Sequence, residues 1–163
     1  MKTVIYCALF LFLPVSVAYG QKAAPDHEKL KAEVYEMFQR NTQLYQNNDY
    51  DGLAKRFTSN GSLKMPGAPR LSGYEALRKH YSGETGAGLP QPEEVDFKFA
   101  FLSVDVSEAG DMAVVMAEFS ISSLQSDGPF DDSGVILMVL RRIGDEWKIF
   151  AENVSSGPVA SFG

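Results

Sequence analysis

The chain has 163 residues, 45% of them hydrophobic, and a formal charge of −6 with no basic block. Nucleic acid and anionic membrane surfaces need clustered Lys and Arg, so neither is expected as a partner. Cys7, the single cysteine, lies within the first twenty residues, so the remainder has neither a disulfide nor a thiolate metal site.

Lys2 precedes an uncharged apolar run from Val4 to Val17, and Ala18-Tyr19-Gly20 supplies the small residues that signal peptidase requires. The run is shorter than the roughly 20 residues that cross a bilayer. Residues 1–20 therefore read as a removed secretion signal and residues 21–163 as one secreted, extracellular domain. No membrane association is expected once the signal is gone.

From Asp26 to Asn48 the apolar residues Leu30, Val34, Met37, Phe38, Leu44 and Tyr45 recur at helical spacing, with Asp26 as cap. Asn41 falls on that stripe, where an amide either bonds to neighbouring backbone or faces a ligand. A second helix is predicted from Asp49 to about Phe57. Ser59-Asn60-Gly61-Ser62 reads as the turn that ends it, and residues 63–71 as a short edge segment interrupted by Pro66 and Pro69. Ser72 and Glu75 have capping-box spacing and open a third helix with Tyr74, Leu77 and Tyr81 on one face.

Residues 83–92 are rich in Gly and Pro and read as a loop. Their glycines lack the spacing and flanking elements of a phosphate cradle, and no cofactor is expected. Beyond Pro92 the period becomes two. Val95, Phe97, Phe99 and Phe101 alternate with polar residues, then the apolar set slips to Leu102, Val104 and Val106, the mark of a bulge that bends a strand. Further strands are predicted over Met112 to Ser123, Gly134 to Arg142 and Trp147 to Ser155, with a loop between the first two of these. Two are apolar on both faces, which predicts a homodimer packed through the outer sheet face.

Asp49-Tyr50-Asp51-Gly52-Leu53-Ala54, Met65-Pro66-Gly67, Leu71-Ser72-Gly73-Tyr74-Glu75-Ala76-Leu77, Gly110-Asp111-Met112-Ala113-Val114-Val115 and the closing Gly144 to Ile149, in that order, resemble the SnoaL-like group of the ketosteroid isomerase and nuclear transport factor two superfamily. The resemblance spans nearly all of the chain beyond the leader. It implies an α+β fold: a cone-shaped, strongly curved antiparallel sheet wrapped around N-terminal helices. It also implies frequent dimers and an apolar cavity between the first helix and the inner sheet face. Activity is not implied, because this superfold hosts isomerases, cyclases, dehydratases, hydrolases and binding modules.

The expected ligand pocket is formed by Tyr35, Phe38, Asn41, Tyr45, Phe99, Phe119, Trp147 and Asn153. If Trp147, Ile149 and Ala151 face inward, strand alternation turns Asn153 inward too and Glu152 outward. Glu118 and Glu152 are the candidate catalytic bases for proton abstraction next to a carbonyl. Glu118 would be an acid of raised pKa on the inner face or a solvated charge on the outer one, and the polar stripe continued by Ser120 and Ser122 favours the outer face. Tyr35, Tyr45 and Tyr81 are hydroxyl donors or packing residues. His27 and His80 look exposed and lie far apart, so no metal site is expected. Asn60 and Asn153 both begin glycosylation sequons. Asn60 lies in the predicted turn and is expected to be modified, whereas Asn153 lies in a strand and is expected to be empty. The acidic run Asp127 to Asp132 reads as a solvated loop rather than a calcium site.

The reading that follows is a secreted protein that binds a small apolar or carbonyl-bearing molecule in a cone pocket. The alternatives are an isomerase or cyclase using a pocket carboxylate, and a non-catalytic acidic constituent of an extracellular or mineralised matrix.

Overall fold

The computed structural model describes residues 25–84, 95–125 and 128–157. The expected leader with Cys7, most of the Gly/Pro-rich loop and Asp127 lie outside the described residues. The elements are α1 (His27–Gln46), α2 (Tyr50–Lys55), β1 (Phe57–Lys64), β2 (Leu71–Ser72), α3 (Tyr74–Tyr81), β3 (Val95–Val106), β4 (Met112–Gln125), β5 (Gly128–Ile143) and β6 (Glu146–Ser156). They build an α+β fold in which the N-terminal helices pack on the inner face of a six-stranded curled sheet of order β2-β1-β6-β5-β4-β3. All neighbours are antiparallel except β1 and β6, which run parallel.

Asp26 caps α1 by accepting from the backbone N–H of Lys29. The predicted stripe faces the sheet: Leu30, Val34, Met37, Phe38, Asn41 and Tyr45 are buried. Phe38 meets Phe99 and Phe101 edge to face, at 5.6 and 4.8 Å between ring centroids. These contacts fix the helix across the concave face, and burial of each such side chain contributes about 1.5–3 kcal/mol.

Two elements differ from expectation. The second helix stops at Lys55, and the residues read as its breaking turn lie within β1. The polar residues Ser59 and Asn60 are exposed, and the pairing of β1 with β6 shifts between Phe57 and Ser62. A Cβ on Gly61 would lie 2.8 Å from the carbonyl oxygen of Ile149, so glycine marks the irregularity that lets β1 approach β6. The capping box does not form either. Ser72 is held in β2 opposite Ser62, and the N-cap of α3 is Gly73, with no side-chain cap bond.

The bulge expected in β3 is present, as its register against β4 shifts between Phe101 and Ser103 and leaves Leu102 exposed. The loop expected between the next two strands is instead a continuation of the hairpin. β4 and β5 stay paired as far as Gln125 and Gly128. Pro129 is tolerated because β5 has left β6 by then, the last β5–β6 pair being Gly134 with Ser156.

A second bulge, unforeseen, lies in β6. Val139 pairs with Ala151 and Leu140 with Ile149, so Phe150 has no opposite residue on β5. Trp147 and Ile149 point inward, then Glu152 is buried and Asn153 exposed. On the convex face Met112, Val114, Met116 and Leu137 stand 38–40% exposed. Among the described residues no helix is long and apolar enough to cross a membrane.

Candidate functional site

A cavity of about 90 Å³ lies between α1, α3 and the concave face of the sheet. Its walls are mainly apolar, from Phe38, Leu53, Leu63, Phe99, Phe119, Ile136 and Met138. One corner is polar and combines residues from four places in the fold: Asn41 of α1, Arg56 at the C-cap of α2, His80 and Tyr81 at the end of α3, and Glu152 of β6. Thr42, Met65 and Asp132 are half-buried on its rim.

Arg56 organises that corner. Its Nη2 donates to Tyr81 Oη at 3.0 Å and lies 3.4 Å from Glu152 Oε2. With the Asn41 amide oriented to satisfy both of its groups, Asn41 accepts from Arg56 Nη1 at 3.2 Å and donates to the Met37 carbonyl at 3.3 Å. The guanidinium also lies over the rings of Phe57 and Tyr81, at 5.5 and 5.6 Å. The stripe amide thus does both things the sequence left open, bonding backbone and facing the cavity.

Burial sets the protonation of this corner. It opposes the charge on Arg56, yet Tyr81 and Glu152 hold the guanidinium above its usual range. Glu152 is pushed up by burial, and the pull of Arg56 does not cancel the shift. Tyr81 is pushed up by burial to about 12. His80 is pushed below its ordinary value by burial, and Tyr45 is raised by burial and then by Tyr50. A carboxyl and an imidazole are therefore each displaced from their ordinary values within one apolar cavity, an arrangement that suits proton transfer.

The expected residues divide into two sets. Phe38, Asn41, Tyr45, Phe99, Phe119 and Glu152 line the cavity. Asn153 does not: the bulge at Phe150 reverses the alternation, so Glu152 takes the inward place and Asn153 is exposed, a correction to both. Tyr35 is 40% exposed and packs edge-on against Phe101 outside the cavity. Trp147 is buried in the core beneath the Arg142 guanidinium rather than on the cavity wall. Glu118 is half-buried on the convex face, beside Lys98, Ser120 and Ser133. Asn60 is exposed within β1.

Arg56 and His80 went unrecognised in the sequence. His80 is 4% exposed, not on the surface as its polarity suggested. Its spacing of three from Leu77 places it on the apolar face of α3, and Arg56 stands three residues after Leu53 in the same way. Asp132, read as part of a loop, is a strand residue whose carboxylate accepts from Ser133 N at 2.8 Å and Ser156 Oγ at 3.1 Å. Among the described residues no group of three His, Cys, Asp or Glu is placed to hold a metal ion.

Residues 34–160 match the SnoaL-like domain family, and the chain belongs to it. No curated protein matches significantly. Solved structures similar in fold include Aln2 from a Streptomyces species, with 16% identity, a TM-score of 0.64, and coverage of 81% of this chain and 93% of that one. A ketosteroid isomerase-like protein from Erwinia carotovora atroseptica is 19% identical with a TM-score of 0.63, covering 78% and 96%. A protein from Catenulispora acidiphila solved in complex with S-DNPA is 20% identical with a TM-score of 0.62, covering 79% and 94%. These likenesses establish the ketosteroid isomerase-like cone fold.

Proposed function

We propose that this protein binds a small, mainly apolar molecule in the cone cavity, with the ligand's polar end at the Arg56 corner. The observation that carries this reading is the cavity itself: apolar walls with a few convergent polar side chains are the usual form of a small-molecule site. The complex of the Catenulispora acidiphila neighbour with S-DNPA is consistent with it. The test uses toluene, a small uncharged apolar probe, followed by ligand-observed NMR. Saturable binding to the wild type, lost in a Val154→Trp variant that fills the cavity side of β6 and still unfolds cooperatively, supports the reading. Binding that is absent, or unaltered by the substitution, contradicts it.

A second reading, proton-transfer catalysis next to a carbonyl, is favoured by the inward turn of Glu152. A buried carboxyl of raised pKa beside a fixed guanidinium has the parts such a step needs: a base, and a donor for the developing oxyanion. Turnover of a carbonyl substrate that vanishes in Glu152→Gln while binding survives distinguishes this reading from simple carriage.

We further propose that the chain is secreted after cleavage near residue 20, which N-terminal sequencing of the exported protein checks. The convex apolar face is proposed as the interface of a homodimer. Sedimentation at micromolar concentration should show a dimer, and Met116→Lys should convert it to monomer.

A further inference from the structure

We propose that the ligand of this cavity is uncharged and carries a hydroxyl group, which donates its proton to His80 Nε2. The inference rests on the small-molecule reading above and states what that molecule must carry. His80 lines the cavity from the last turn of α3, and its Nε2 is buried with no hydrogen-bond partner among the described residues. Native proteins seldom leave such an atom unpaired, because burial removes water without replacing its bond.

Most other polar groups of the corner answer one another, as Arg56 bonds Asn41 and Tyr81 and pairs with Glu152. Arg56 Nε is the exception, also buried and unpartnered, and it can only donate. Burial, by lowering the His80 pKa, keeps the ring neutral and able to accept. The lining thus includes an acceptor without a partner, on His80, and that acceptor calls for a donor on the ligand. A hydroxyl supplies one, whereas a carbonyl only accepts. The Arg56–Glu152 pair already cancels its own charge, so a charged ligand group at this corner would stand in apolar surroundings without a free counter-ion, Asp132 lying on the rim with Ser133 and Ser156 as its partners.

The probes are phenol, toluene and benzaldehyde, similar in size but differing in what the substituent can donate. Affinities are measured by ligand-observed NMR titration of the wild type and of His80→Phe. Phenol should bind about tenfold more tightly than toluene or benzaldehyde, the worth of one net hydrogen bond. That preference should disappear in His80→Phe while toluene still binds. Equal affinity in the wild type, or a preference that survives the substitution, overturns the proposal. Toluene binding without a phenol preference removes only the hydroxyl assignment and leaves the cavity reading intact. Failure of all three probes removes both.

A measurement without substitution covers the case in which His80→Phe does not fold. The chain has two histidines, so His27 is an internal reference for imidazole ¹⁵N shifts. The His80 Nε2 signal should move on adding phenol and not on adding toluene. A signal unmoved by phenol overturns the proposal.

Discussion

Arg56→Met leaves Glu152 buried without its cation and Asn41 without its donor. Breaking a buried pair from one side costs about 3–5 kcal/mol, whereas replacing both partners by apolar residues is often close to neutral. In urea unfolding, Arg56→Met should therefore lose about that much, and the double variant Arg56→Met with Glu152→Leu should lose less than Arg56→Met alone. A double variant as unstable as the sum of the singles would mean that the pair is not coupled. The sequence supplied Asn41, because an amide on an apolar stripe is conspicuous. It concealed Arg56 and His80, because polar and charged residues at helix ends are normally solvated, and a spacing of three from Leu53 or Leu77 puts them on the apolar side without telling a buried helix end from a wet one. Glu152 was visible as a candidate but assigned to the wrong face. Side-chain alternation has a period of two, so one extra residue before Glu152 reverses every later assignment.

Close backbone approach, invisible to pattern, governs the elements. A Cβ on Gly134 would fall 1.7 Å from the carbonyl oxygen of Ser155 and 2.9 Å from the Phe119 ring. Gly134→Ala must therefore push β5 away from β6 or displace a cavity-wall aromatic. Overpacking of this kind costs about 1–3 kcal/mol, sometimes more. A lowered denaturation midpoint is expected, and an unchanged midpoint would contradict the β5–β6 geometry. α1 and the core spans of the last four strands were legible, since each has a long periodic run and turn residues between. β1 was not, because Thr58 to Ser62 has the composition of a turn while lying along β6 with an irregular register. Residues 128–133 were not legible for a similar reason: Gly, Pro and Asp usually end a strand, yet they can occupy a stretch paired on one side only.

The polar corner links whole-molecule stability to pH. Tyr81 keeps its proton to about 12 in the folded protein, while in the unfolded chain a tyrosine loses it near 10. The unfolded state thus releases protons first as pH rises, so the stabilisation from Tyr81 is complete below pH 10 and lost between about 10 and 12. His80 acts at the other end. Its folded pKa lies below the ordinary 6.5, so its contribution is complete above about pH 6.5 and declines as the medium becomes more acid. In unfolding free energies measured across this range, the alkaline loss should be smaller in Tyr81→Phe than in the wild type, and the acid loss smaller in His80→Phe. The curved shape that creates the corner was foreseen from one bulge, at Leu102. The second, at Phe150, completes it and carries Glu152 inside.

The central claim is that this second bulge places the Glu152 carboxyl inside an apolar cavity, and carboxyl ¹³C NMR titration of the intact protein tests it most directly. The resonance that disappears in Glu152→Gln should titrate above the ordinary glutamate value of 4.5, apart from the exposed glutamates. Titration of that resonance at or below 4.5 would mean that burial does not govern the Glu152 carboxyl and would contradict the account.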